Sequence, residues 1–231
     1  MSAIFVTGTG TDVGKTFLSA ALIRHWRAAG HAVAAFKPVA SGFEPATAQA
    51  SDPGVLLAAL GRPISDIDAI SPWRFAAPLS PDMAAAREGR TLDFEAIVEF
   101  SSRAAKSADR VLIEGVGGIM VPLDERHTVL DWMSALRLPV LLVAGSYLGT
   151  ISHTLAALRV LAQRNLEVVA VAVSESATPG APLDETVATI ARFADMIEVV
   201  GVPRLSGDAH AHPAIGNLSA KFRAEHHRGA M

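Results

Sequence analysis

Six short aliphatic runs recur along the chain with helical patterns between most of them, and this alternation limits the fold more than any other feature. The runs are Ile4-Phe5-Val6-Thr7, residues 31–36, Val111-Leu112-Ile113, and residues 140–143, 168–173 and 198–202. Most are apolar at successive rather than alternate positions, as strands covered on both faces should be. Residues 16–29 are rich in Ala and Leu and stop at Gly30, a normal helix terminator. Residues 93–108 carry Phe94, Ile97, Val98 and Phe100 behind Asp93 as N-cap, and residues 149–163 and 183–194 read the same way. Strands alternating with helices predict βαβ units: an α/β fold with a mostly parallel β-sheet flanked by helices on both faces.

Two segments break the rhythm. Seven of the thirteen prolines fall between Pro38 and Pro81, where only residues 55–60 and 83–88 look helical and no strand signal appears. This segment reads as an elaborated crossover between the second and third core strands. A long loop in a compact domain is usually functional, although surface decoration is the alternative. Residues 207–231 are polar and carry His210, His212, His226 and His227. Clustered histidines suit a metal, but polar termini more often stay loose, so the expectation is one domain over residues 1–231 with a flexible tail from about 207.

Composition removes several function classes. A chain of 231 residues, 50% of them hydrophobic, can bury a sizeable core and is not a disordered polymer. The absence of cysteine excludes disulfides, thiolate-held metals and a Cys nucleophile. A net charge of −3 argues against a general nucleic-acid binder. No apolar run approaches the ~20 residues that span a bilayer. The first residues lack the basic region of a secretory signal, so the expected compartment is the cytoplasm, with no membrane partner.

The chemistry begins at the first strand. Residues 3–16 read Ala-Ile-Phe-Val-Thr-Gly-Thr-Gly-Thr-Asp-Val-Gly-Lys-Thr: a strand, a Gly-rich turn, then Gly14-Lys15-Thr16 opening a helix. This is a P-loop in its proper context and implies a P-loop NTPase fold. Glycines let backbone approach a phosphate, and consecutive N–H groups at a helix start form an anion nest. Lys15 offers a cation to the β- and γ-phosphates, and the Thr16 hydroxyl suits Mg²⁺. Gly8 and Gly14 enclose five residues instead of the usual four.

Only four lysines stand against sixteen arginines, and two of the four are Lys15 and Lys37. Lys37 follows the second strand, so it falls on the sheet edge where ligands bind in open α/β folds. It is either a second cation for a transferring phosphoryl group or a surface lysine at a strand end. Ser41 and Gly42 follow in the same loop and can donate to an oxyanion. Glu114 ends the third strand before Gly115-Val116-Gly117-Gly118, which suits a Mg²⁺ ligand opposite Thr16. Asp52, after Ser51, is a metal ligand or part of a helix cap. His153, at a predicted helix start, is more readily a packed or capping residue than a catalytic one.

Together these segments resemble the ATP-dependent dethiobiotin synthetases of biotin biosynthesis. The resemblance rests on Gly8-Thr9-Gly10-Thr11-Asp12-Val13-Gly14-Lys15-Thr16, on Phe36-Lys37-Pro38-Val39-Ala40-Ser41-Gly42 and on Ser51-Asp52. It extends through Ser80-Pro81, Glu88-Gly89-Arg90, Glu114-Gly115-Val116-Gly117-Gly118, Leu148-Gly149-Thr150-Ile151-Ser152-His153 and Gly201-Val202-Pro203, in order over residues 1 to about 205. It implies that 7,8-diaminononanoate takes up CO₂ as a carbamate, that ATP phosphorylates the carbamate, and that the neighbouring amine closes a cyclic urea. By the same resemblance Lys15, Lys37, Thr11 and Ser41 serve the phosphoryl and carbamate groups, while Thr16, Asp52 and Glu114 hold Mg²⁺. The nucleotide would lie against residues 10–17 (among them Asp12, Val13 and Phe17), Glu114, Gly117, Ser174, Val202, Pro203 and Arg204. The diamine would meet Ser41 and Gly118. In a homodimer its carboxylate would be held by the partner chain, at Leu148, Gly149, Thr150 and Ser152.

Four positions depart from the family pattern. Asp12 stands where many members have Glu, Tyr147 where Lys is common, and Ser152 where Asn is frequent. Ser174 replaces an Asn that reads adenine through a paired amide contact, which a hydroxyl cannot make. Weak discrimination between nucleotide bases, or discrimination by backbone at residues 202–205, is the expected result. Competing readings are a partitioning-type ATPase switch and a small-molecule kinase. The first would usually carry a second Lys early in the P-loop and a DNA- or membrane-binding surface. A cobyrinate-type amidating synthetase needs a Cys nucleophile and more chain.

Overall fold

The computed structural model describes residues 2–178, 180–205 and 209–222. A six-stranded sheet forms the centre: β1 (Ser2–Gly8), β2 (Val33–Phe36), β5 (Arg110–Gly118), β6 (Val140–Gly145), β7 (Val168–Ser174) and β8 (Val199–Val202). Its spatial order is β2-β5-β1-β6-β7-β8, and all its pairings are parallel. All six expected strands are present. Their continuous apolarity has the expected cause, because alternate residues feed two separate cores. Ile4 and Val6, Leu112, Leu141 and Val143 pack with helices α1 (Lys15–Ala28) and α2 (Asp52–Leu60). Phe5, Val111, Ile113, Val140 and Leu142 face α5 (Phe94–Ala104), α6 (Val129–Leu136), α7 (Thr150–Gln163) and α8 (Leu183–Ala191). On that second face the Phe5 and Trp132 rings meet edge to face at 4.9 Å, a geometry that adds about 1 kcal/mol to their burial.

The proline-rich crossover is more ordered than expected. It contains two strands, β3 (Val39–Ser41) and β4 (Trp73–Phe75), which pair in parallel as a small separate sheet. Each has only three residues and lies within two residues of a proline, too short to leave a periodic signal. The short helix α3 (Ile67–Ile70) precedes β4, and α4 (Pro81–Arg87) follows it. Helix α6 was not foreseen either, although its start carries a readable sign. The Asp131 carboxylate, three residues into the turn, accepts from the Thr128 N–H at 2.9 Å and the Thr128 hydroxyl at 2.8 Å.

The loose-tail expectation fails for residues 209–222. Helix α9 (Pro213–Ala220) buries Ile215 and Leu218 against α1, and Phe222 is buried beyond it. Trp26 Nε1 donates to Ser219 Oγ at 2.9 Å, and the Trp26 and Phe222 rings meet edge to face. His25 Nδ1 lies 3.0 Å from the His210 carbonyl oxygen, and His212 caps α9 by accepting from Ala214 N–H. The His212 ring is thus engaged in capping, while His210 contributes its backbone carbonyl. His226 and His227 lie outside the described residues. No described helix is long and apolar enough to cross a membrane.

Candidate active site

Helix α1 begins at Lys15, directly after the loop that leaves β1 in the centre of the sheet. Gly14 caps it at φ 96°, and no side chain occupies its first N–H groups. A side chain at Gly14 would be strained at that φ and would also strike Ser174 Oγ, 2.6 Å from where its Cβ would stand. The loop therefore presents backbone to a cavity of about 730 Å³. Thr11, Asp12, Gly14, Lys15, Thr16 and Phe17 line it from the loop and the start of α1, and Lys37, Ser41, Asp52 and Gly117 line it from other parts of the chain. Val13 is packed into the core and also lines a second, smaller cavity. Gly10 lines neither cavity, but its carbonyl accepts from Lys15 Nζ at 2.7 Å.

At this cavity lies a charge cluster that is dry at Lys37 and Glu114 and open to solvent at Asp52, whose side chain is 49% exposed. Lys37 is 1% exposed and Glu114 is 0% exposed. Lys37 Nζ donates to Glu114 Oε1 at 2.9 Å and to the Gly115 carbonyl at 2.6 Å, and it lies 3.1 Å from Asp52 Oδ2. Burial works to lower the Lys37 pKa, but the Glu114 and Asp52 charges outweigh it and hold the ammonium above its ordinary range. This rules out the surface-lysine reading. Burial also works to raise the Asp52 pKa, and the adjacent Lys37 charge overrides it, leaving Asp52 below the usual carboxylate range. For Lys15 the Glu114, Asp52 and Asp12 charges compensate only in part. Burial, reinforced by the neighbouring Lys37 charge, lowers it to about 8.

The two readings of Asp52 are separated by its neighbour. Ser51 is the N-cap of α2 and its Oγ accepts from Gly54 N–H, so the Asp52 carboxylate is free to face Lys37. Thr16 Oγ1 donates to Glu114 Oε1 at 2.8 Å. Thr16, Glu114 and Asp52 thus offer three hard oxygen groups around the position held by one buried ammonium. A donor set with two carboxylates and a hydroxyl fits Mg²⁺ bound together with substrate phosphates. Ser41 Oγ is buried without a hydrogen-bond partner while its residue lines the cavity, an unused donor where an oxyanion would lie.

A second cavity of about 310 Å³ shares Asp12, Gly14 and Phe17 with the first. Among the residues named for the nucleotide or its base, Ser174, Pro203, Arg204 and Leu205 line it, and so do Glu175, Ser176 and Ala177, which were not assigned from the sequence. Val202 is buried, and its carbonyl accepts from Glu175 N–H. Glu175 Oε2 in turn accepts from Arg204 N–H at 2.9 Å. Ser146 and Ser176 exchange hydrogen bonds, each N–H donating to the other's hydroxyl, at 3.0 and 2.9 Å. The segment 148–152 lines neither cavity of the single chain. Leu148 is 88% exposed, Ser152 is exposed, and Thr150 donates its hydroxyl to the Gly145 carbonyl. Gly149 begins α7 with no side-chain cap. Gly118 lines neither cavity and instead packs against Thr9 and Gly10. His153 Nδ1 lies 2.8 Å from Tyr147 Oη, away from both cavities.

Comparison with known proteins gives this geometry a family. A family model described as "AAA domain" matches residues 2–207. A protein named "ATP-dependent dethiobiotin synthetase BioD" from Phenylobacterium zucineum is 49% identical over 228 residues, covering 96% of this chain and 97% of that one. A protein of the same name from Methylobacterium nodulans is 52% identical over 217 residues, covering 90% and 95%. The chain belongs to the ATP-dependent dethiobiotin synthetase family. A third member, from Acidiphilium cryptum, is 48% identical over 190 residues, covering 80% of this chain and 85% of its own. Among solved structures, the MinC:MinD cell division complex of Aquifex aeolicus aligns at TM-score 0.54 and 12% identity, covering 96% of this chain and 94% of that one. That likeness concerns the P-loop NTPase fold alone.

Proposed function

We propose that this chain makes dethiobiotin from 7,8-diaminononanoate, CO₂ and ATP, forming two C–N bonds and releasing ADP and phosphate. The observation that carries the proposal is the pair of buried lysines, Lys15 and Lys37, that line one cavity of about 730 Å³, with Lys37 held between the Asp52 and Glu114 carboxylates. One amine of the substrate adds to CO₂ and loses a proton, giving a carbamate. A carbamate oxygen attacks the γ-phosphorus, and ADP leaves. The second amine then attacks the carbonyl of the mixed anhydride and gives up a proton to solvent, closing a five-membered urea as phosphate departs with the electron pair of the C–O bond. No protein nucleophile is needed, because the attack is intramolecular and positioning supplies the rate.

Lys15 and the N–H groups of residues 10–16 neutralise the phosphates. Lys37 meets charge moving between carbamate and γ-phosphoryl oxygens, and the Thr11 and Ser41 hydroxyls orient the same oxygens. Thr16, Asp52 and Glu114 would hold Mg²⁺, which when bound supplies positive charge to the β- and γ-oxygens. The base would sit in the second cavity, against Ser174, Pro203 and Arg204. The single chain leaves the N-terminus of α7 uncapped beside the exposed Leu148. A homodimer in which this end meets the partner's diamine carboxylate accounts for that exposure and for the absence of the segment from both cavities. The proposed setting is the cytoplasm, without nucleic-acid or membrane partners.

The test is phosphate release from Mg-ATP, run with and without 7,8-diaminononanoate and with and without bicarbonate. Release that needs both, with a cyclic urea of the expected mass, is the expected result. Release indifferent to both would return the ATPase-switch reading, and transfer to a stable acceptor without CO₂ would return the kinase.

A further inference from the structure

The two oxygens of Glu114 keep different company. Oε1 accepts from Thr16 and Lys37, both of which line the large cavity. Oε2 accepts from Ser19 Oγ at 2.6 Å. Ser19 is completely buried, lines neither cavity and touches no candidate ligand position. It lies three residues beyond Thr16 on α1, so the helical repeat sets both hydroxyls on the face that meets β5. Its bonding is unusual for a helical hydroxyl. Ser101, Ser134 and Thr154 each donate to the carbonyl four residues earlier in their own helices, as buried Ser and Thr commonly do. Ser19 instead reaches across to a side chain 95 residues away.

We propose that Ser19 is a positioning residue for the metal: by holding Oε2 it aims Oε1 at the point shared with Thr16 and Asp52. This rests on the reading of Thr16, Asp52 and Glu114 as Mg²⁺ ligands. The physical need is specific. The terminal torsion of a glutamate is broad, so a carboxylate held through one oxygen only can swing about that bond and carry the oxygen off its bearing. Thr16 and Lys37 both bind Oε1, and neither fixes the rotation about the terminal bond as a donor on Oε2 does. Partners that orient a metal ligand typically contribute 10- to 100-fold in metal affinity.

The experiment uses the full chain with ADP and MgCl₂ as probes, so that no turnover occurs. Calorimetry measures ADP binding in EDTA, and then the Mg²⁺ concentration that half-saturates the ADP complex, for wild type, Ser19→Ala, Ser19→Thr and Glu114→Gln. Ser19→Ala is expected to raise the Mg²⁺ requirement about 10-fold or more while leaving metal-free ADP binding close to wild type and lowering the melting temperature by about 2 to 10 °C, the cost of one unpaired buried oxygen. Ser19→Thr, which keeps the hydroxyl, should restore most of the loss. If Glu114→Gln raises the requirement and Ser19→Ala does not, the positioning role is wrong and the metal reading stands. If Ser19→Ala weakens metal-free and metal-bound ADP equally, Ser19 is a packing residue. If Glu114→Gln leaves the Mg²⁺ requirement unchanged, the metal reading falls and the role of Ser19 falls with it.

Discussion

Nucleotide binding should take up protons, by an amount set by Lys15. Burial and the nearby Lys37 charge lower Lys15 to about 8, and the groups that could restore it, Glu114 and Asp52, are already engaged by Lys37. Only the ammonium form of Lys15 is useful to a phosphate, so a bound β-phosphate must raise its pKa well above 8. With a free-state pKa of about 8, uptake on binding is roughly 0.1 proton at pH 7, 0.5 at pH 8 and 0.9 at pH 9. The sign follows from the direction of the shift. Affinity is fully present below pH 8 and declines above it, approaching tenfold per pH unit until the bound-state pKa is reached. The assay is calorimetric titration with ADP in paired buffers of different ionisation enthalpy, since the slope of observed heat against buffer enthalpy counts protons directly. Lys37→Gln removes one cause of the depression, so its uptake at pH 8 should fall. No uptake in wild type at pH 8 and 9 would refute the reasoning, because Lys15 would then be fully charged before the nucleotide arrives.

Three further outcomes are expected. Lys37→Gln should cut turnover by about 10²- to 10³-fold while changing ADP affinity little, since its role lies where charge develops; unchanged steady-state kinetics would refute it. Leu218→Ala in α9 should cost about 2–5 kcal/mol of stability in urea unfolding, where a loosely attached tail would lose nothing. Steady-state rates with ATP and CTP should be similar, because Ser174 cannot make a paired amide contact; a preference for ATP above about a hundredfold would sink that expectation.

The sheet was legible because burial on both faces writes itself into the sequence as unbroken apolar runs. The P-loop was legible because phosphate recognition by backbone demands glycines at fixed spacing. Lys37 and Glu114 could be placed at the carboxyl edge of the sheet, but their mutual contact could not, because 77 residues separate them. Ser19 escaped notice for a related reason. A serine three residues after the P-loop threonine looks like any helical serine until its partner on β5 is in place. The strands β3 and β4 are held by pairing rather than by periodicity, and three residues each are too few to announce it. The polar look of the C-terminal segment concealed Ile215, Leu218 and Phe222, whose spacing of three and four residues was the available clue to an amphipathic helix.

Ser146 and Ser176 lie 30 residues apart, yet each is the other's hydrogen-bond partner. Their exchange staples the loop that enters α7 to the loop that forms a wall of the smaller cavity, and Gly180 N–H adds a further stitch by donating to the Ser146 carbonyl. Replacing either serine with alanine removes one acceptor and leaves one amide without its partner, at a cost of about 1–3 kcal/mol when buried. The two loops are therefore fastened to each other, so that parting the start of α7 from the wall of the smaller cavity would break all three of these hydrogen bonds.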